Sequence, residues 1–182
     1  MKAPWVSAMA HSMIFWGFLT LLFRTVNFLL DGVHEDASLQ SLIGDGYTYY
    51  RPVMDLFNVV VLAGVSVAIF QRTVLRPARI TLNIDAWTIL GLIAGLMVAD
   101  IVTNSFEIAL DRGDRDYLSF VAFGVANLWD TVGMEGAAAE ALHTTFWYTH
   151  LIVFLTFLCF LPFSKHSHVL SIFFNVFART LQ

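Results

Sequence analysis

Apolar residues fall along this chain in four long blocks separated by short polar stretches, and the length of each block is the length a bilayer demands. About 20 apolar residues cross roughly 30 Å of hydrocarbon at about 1.5 Å per residue. The first block, about residues 9–30, is interrupted only by His11, Arg24 and small polar residues. It is too long for the core of a signal peptide, and Asp31-Gly32-Val33-His34 follows it in place of a small-x-small cleavage site, so it reads as a retained helix. The second, about 52–70, opens on Pro52, favourable at a helix start, and closes at Gln71-Arg72. The third covers about 87–110, and the fourth about 144–163, with Pro162 at its distal end. A fifth apolar piece, about 117–129, is too short to span and suits a helix lying at the interface. The pattern predicts an all-α fold: a four-transmembrane-helix bundle with an additional short interfacial helix, residues 1–182 forming a single membrane domain.

The charges orient that bundle. Arg72, Arg76 and Arg79 lie between spans two and three, Lys2 near the N-terminus, and Lys165 and Arg179 after span four. Positive residues stay on the cytoplasmic side, so both termini are expected there, in a multi-pass protein of the cell inner membrane. The opposite side would hold His34, Glu35, Asp36, Asp45 and Arg51, then the stretch from Asp111 to Asp116 with Asp130, Glu135 and Glu140, so acids dominate there. Making 117–129 a fifth span would put Lys165 and Arg179 on the wrong side.

Composition narrows the function. Of 182 residues, 58% are hydrophobic and 13% charged, which excludes an ordinary water-soluble domain. A net charge of −4 with ten scattered Lys and Arg offers no basic patch for nucleic acid. With the single cysteine, Cys159, this chain is expected to hold no iron–sulfur cluster, so any such centre belongs to a partner.

Six histidines remain, and intramembrane histidines are costly unless partnered. His11, near the cytoplasmic end of span one, and His168, just past span four, share a depth. Two imidazoles from different helices at one depth are what a six-coordinate b haem requires. His150 lies deeper in span four, where it could ligate a second, outer haem or make an interhelical hydrogen bond. His34, His143 and His166 suit snorkelling at the interface. Arg24, in the outer half of span one, needs an anion, either a haem propionate or a carboxylate from Asp100 or Glu107, unless it snorkels to the outer surface. Asp100, Asn104 and Glu107 share one face of span three at i, i+4 and i+7, where they could exchange protons with a quinone. Their alternative role is an ion pair with Arg24 that fixes helix packing. Gly91 and Gly95 permit close helix contact or the approach of a flat macrocycle. The five tryptophans fit interfacial belts.

The segment from His150 to His168, with Pro162-Phe163-Ser164-Lys165 inside it, resembles the last helix of the membrane-embedded cytochrome b subunit of respiratory nitrate reductase, the gamma subunit. Phe15-Trp16-Gly17 resembles that family's aromatic-Trp-Gly step on the partner helix. The resemblance implies that His168 is an axial ligand of an inner b haem and His150 of an outer one. Two departures matter. Phe15 stands where the family's inner partner histidine would be, with His11 one turn earlier on the same face, and Thr25 stands at the outer partner position, which leaves outer ligation open. A histidine one turn before Phe-Trp-Gly looks more like the related membrane domains of the heterodisulfide-reductase type, often fused to or encoded with cytoplasmic iron–sulfur oxidoreductases.

The expected function is therefore a haem b-binding membrane subunit or domain, with one or two haems. It would transfer electrons between menaquinone or ubiquinone and a cytoplasmic iron–sulfur or flavoprotein partner, as part of an oxidoreductase rather than as a complete enzyme. The alternative is a non-redox membrane protein, an assembly factor or small transporter, whose histidines bind metal or pack helices.

Overall fold

A computed structural model of the chain describes residues 4–33, 41, 43, 44, 46–75, 84–110 and 118–163. Among them are five α-helices: α1 (Pro4–Val33), α2 (Gly46–Phe70), α3 (Ile84–Leu110), α4 (Phe120–Thr131) and α5 (Gly136–Phe160). A π-helical turn, Gln71–Leu75, continues α2, and a 3₁₀ turn, Leu161–Phe163, continues α5. Four of the helices are long and apolar enough to cross a membrane, as the pattern predicts, and α4 is the short fifth. At 12 residues α4 is about 18 Å long, well under the hydrocarbon thickness.

The long helices alternate in direction. Ser7 near the start of α1 donates a hydrogen bond to Gln71 just beyond the end of α2 (3.0 Å). Toward the other end, the Tyr50 hydroxyl donates to the Thr20 carbonyl of α1 (2.6 Å). The start of α3 and the end of α5 join Ser7 and Gln71 around one cavity, so the N-terminus of α1 and the C-terminus of α5 share an end of the bundle, here called proximal. The apolar core draws on all four long helices, through Leu21, Met54, Val61, Ile93, Met97 and Phe157 among others. Phe18 and Phe157 meet with ring centroids 5.4 Å apart, joining α1 to α5.

Close helix approach is set by glycine, at positions other than the expected pair. A Cβ on Gly17 would fall onto Val61 Cγ2, and one on Gly64 would lie 3.1 Å from the Ala10 carbonyl oxygen, so these two residues let α1 and α2 touch. Gly91 instead meets open space, and Gly95 makes only ordinary contact with Val153.

Helix boundaries differ from the apolar blocks because polar contacts extend them. Pro52 lies inside α2, which starts six residues earlier, at Gly46. Tyr47 and Tyr50 hold that extra turn against α1 through Arg24 and Thr20. The Ala/Gly-rich stretch at 133–141 forms a turn and the first part of α5. Gly133, at φ 71°, ends α4: its N–H donates to the Asp130 carbonyl (3.2 Å) and that of Met134 to the Trp129 carbonyl (3.0 Å). This is a left-handed helix stop that glycine adopts without strain.

The short helix is docked by a cap from far along the chain. Ser119 precedes α4 without a side-chain cap bond, and the buried carboxylate of Asp55 in α2 instead accepts the backbone N–H groups of Val121 (2.5 Å) and Ala122 (3.3 Å). A carboxylate there satisfies two otherwise orphaned donors and complements the positive end of the helix. Ala122 and Ala126 pack on Ile108 and Ala109, while Trp129 stacks on Phe106 at 4.9 Å and donates to Ser105 Oγ (2.8 Å). Asp55→Ala is expected to destabilise the fold by about 1–3 kcal/mol, the cost of leaving buried donors unmet, with Asp55→Asn losing less. Faster amide exchange at Val121 and Ala122 would localise that loss to α4.

Candidate functional site

Two sites lie one above the other inside the bundle. The proximal one is a cavity of about 220 Å³ among all four long helices. Its walls are mostly apolar, with Ile14, Phe15 and Phe18 from α1, Ile89 and Ile93 from α3, and Phe157 from α5. Small side chains at Ala10, Ala68 and Ala86 keep it open. The polar atoms on its wall come from Ser7, His11, Gln71 and Arg72. His11 and Phe15 occupy successive turns of one face of α1, and their rings stack nearly parallel at 6.5 Å. Positions 11 and 15, one turn apart, therefore both face the same cavity.

This donor set suits a flat, largely apolar macrocycle held by an imidazole: hydrophobic walls, one histidine of the described chain, and polar groups gathered at one edge. Among the described residues no three His, Cys, Asp or Glu side chains converge on a metal-sized site. A haem needs only axial ligands from the protein. His168, expected as the second of these, lies outside the described residues, as do His34 and His166.

The distal half is closed. Around His150, which is buried, the remaining space is about 10 Å³, lined by Arg24, Thr25, Asn58, Leu96, Asp100 and Phe154 among others. That volume accommodates roughly one water molecule. Thr25, at the outer partner position, donates back to the Leu21 carbonyl of its own helix (3.4 Å). These residues do not fit a second porphyrin.

A polar network occupies that level instead. Arg24 Nε donates to Asp100 Oδ1 (3.3 Å), Arg24 Nη1 to the Tyr47 hydroxyl (2.7 Å), and Asn58 Nδ2 to Asp100 Oδ2 (2.7 Å). Arg24 Nη2 lies 3.6 Å from Glu107 Oε2, whose side chain is 52% exposed. Arg24 thus has its anions from α3, one buried and one reaching the surface. In a low dielectric such a pair persists because each charge is hydrogen-bonded on several sides. Tyr47 and Asn58 were not legible as members of this network, although Asp55 and Asn58, three residues apart in an apolar run, carried the signal that α2 has a polar face. Trp16 lies near the middle of α1 and is exposed on the outside of the bundle.

Two known proteins are similar to this chain over nearly all its length. The first is a probable iron-sulfur-binding oxidoreductase, FadF, of Bacillus subtilis (strain 168). It is 26% identical over 176 residues, covering 97% of this chain and 24% of that protein. The second is the EtfAB:quinone oxidoreductase of Syntrophomonas wolfei subsp. wolfei (strain DSM 2245B / Goettingen), 26% identical over 186 residues, covering 94% of this chain and 25% of that protein. No family model matches the chain, that of the nitrate reductase gamma subunit included, and no solved structure matches it. The chain spans about a quarter of the length of the curated relatives it matches, and both are oxidoreductases by name.

Proposed function

We propose that this chain is the membrane domain of an oxidoreductase. It passes electrons between a quinone in the bilayer, menaquinone or ubiquinone, and a cytoplasmic iron–sulfur or flavoprotein partner, and it binds one b haem in the proximal cavity. The observation that carries this reading is the four-helix cavity with His11 on its wall, in a chain similar to a quinone oxidoreductase and an iron-sulfur-binding one. When bound, haem supplies the one-electron chemistry; the protein supplies ligands, orientation and electrostatics. His11 and His168 are the residues that would hold the haem iron. Both termini are cytoplasmic, and the basic segments that contain Arg76, Arg79, Lys165 and Arg179 offer charge for docking the soluble partner.

The distal network handles protons. Glu107, whose carboxylate reaches the surface, exchanges the proton that quinone chemistry takes up or releases, while Asp100 holds Arg24 in place beside it. Arg24 serves this network, and His150 packs against it.

The testing experiment is a reduced-minus-oxidised visible spectrum of the purified chain, with a pyridine haemochrome count. Low-spin b-type bands and a count of one per chain are expected. A count of two would overturn the single-site reading, and a flat spectrum from folded chain expressed with ample haem would overturn haem binding. With quinol as reductant, Glu107→Gln is expected to slow haem reduction by about tenfold or more, and an unchanged rate would remove Glu107 from the proton path.

A further inference from the structure

The proximal cavity has a charged edge that the haem reading alone does not explain. Ala68, Gln71 and Arg72 line it together, at the i, i+3 and i+4 positions of one helical face. The Arg72 guanidinium is held back on its own helix, Nη1 donating to the Ala68 carbonyl (3.1 Å). Its Nε is buried and has no hydrogen-bond partner among the described residues. Next to it, Ser7 Oγ donates to Gln71 Oε1 (3.0 Å), which occupies the amide oxygen and leaves the amide NH₂ as the donor end of that side chain. The edge therefore offers donors, one of them charged and unsatisfied, beside apolar walls. A buried cationic N–H without an acceptor is costly, and the acceptor that suits a planar guanidinium is a carboxylate or phosphate. The backbone also changes at this point, passing from α-helix to the π turn Gln71–Leu75, an irregularity that recurs at functional sites. Arg24, buried in the distal half, already has Asp100 and Glu107.

We propose that Arg72, supported by Gln71 and Ser7, is the carboxylate-binding edge of the proximal cavity, and that it selects a macrocycle bearing free carboxylates. This rests on the haem reading above and adds which end of the ligand meets which residues. The ligand lies with its acid groups toward the Arg72 edge and its apolar body among Ile14, Phe18, Ile89 and Phe157. Arg72 is a binding and orienting residue.

The test titrates the full apo chain in detergent with haemin and, separately, with haemin dimethyl ester, followed by the Soret band. The two share iron, ring and apolar body and differ in the carboxylates. The chain is expected to bind haemin about tenfold or more tighter than the ester, the factor for one charge-assisted hydrogen bond. In Arg72→Leu that preference should collapse to about one, with ester affinity little changed, and Arg72→Lys should restore part of it. Equal affinities for the two ligands in the unaltered chain would overturn the proposal, as they would if Arg72 binds a lipid phosphate, and this comparison does not require any variant to fold. A preference undiminished in Arg72→Leu would also overturn it. Binding of neither ligand would instead overturn the haem reading itself.

Discussion

Replacing His11 with alanine is expected to abolish bound haem, with the b-type difference bands lost from folded chain. Of the histidines in the described residues, His11 alone lies on the proximal cavity. An apolar cavity without its imidazole keeps shape complementarity and loses the iron bond that makes binding specific. His150→Gln supplies the contrast. That residue sits in the closed distal network, so its change is expected to leave the haem count at one per chain. The measurement is haem per folded polypeptide, with folding checked by far-UV circular dichroism. Full haem in His11→Ala, together with loss in His150→Gln, would move the porphyrin to the distal half and overturn the assignment made from the cavity.

The number and type of elements were legible because the bilayer leaves few options. Roughly 20 apolar residues that must satisfy their own backbone hydrogen bonds become a helix, and about a dozen cannot span. The boundaries depend on contacts that a linear pattern does not carry. Tyr47 and Tyr50 extend α2 past Pro52 because Arg24 and the Thr20 carbonyl, on another helix, receive them. The cap on α4 comes from Asp55, 66 residues before Val121, so no local motif at Ser119 could announce it. Small-residue spacing pointed to Gly91 and Gly95, yet the crowded glycines are Gly17 and Gly64, since spacing alone does not say which face meets a neighbour. For the site, the i, i+4, i+7 stripe of α3 and the need of Arg24 for an anion were readable as chemistry, and the structure pairs them. The edge at Arg72 was readable only as loop charge, because its relation to the cavity arises from α1, α3 and α5 closing around it.

Breaking the Arg24–Asp100 pair is expected to be the most destabilising single change in the bundle. Asp100 is 4% exposed and Arg24 7%, and three of the long helices meet in their network: α1 through Arg24, α2 through Tyr47 and Asn58, and α3 through Asp100. Arg24→Ala leaves a buried carboxylate hydrogen-bonded to the neutral Asn58 amide, and Asp100→Ala leaves a buried guanidinium that has lost its buried counter-ion and keeps the surface-reaching Glu107. Removing one partner of a buried pair costs about 3–5 kcal/mol, most of it the penalty on the charge left behind. Glu107→Gln, by contrast, removes a partly exposed partner at 3.6 Å and is expected to cost about 1 kcal/mol or less. The decisive comparison is the double change Arg24→Met with Asp100→Leu. It removes both charges, so it should be more stable than either single alanine variant, read as unfolding midpoints in one detergent. A double variant no more stable than the alanine variants would mean that the stranded charge is not what they lose, and the network would then be a coincidence of packing rather than the bond that holds the distal half closed.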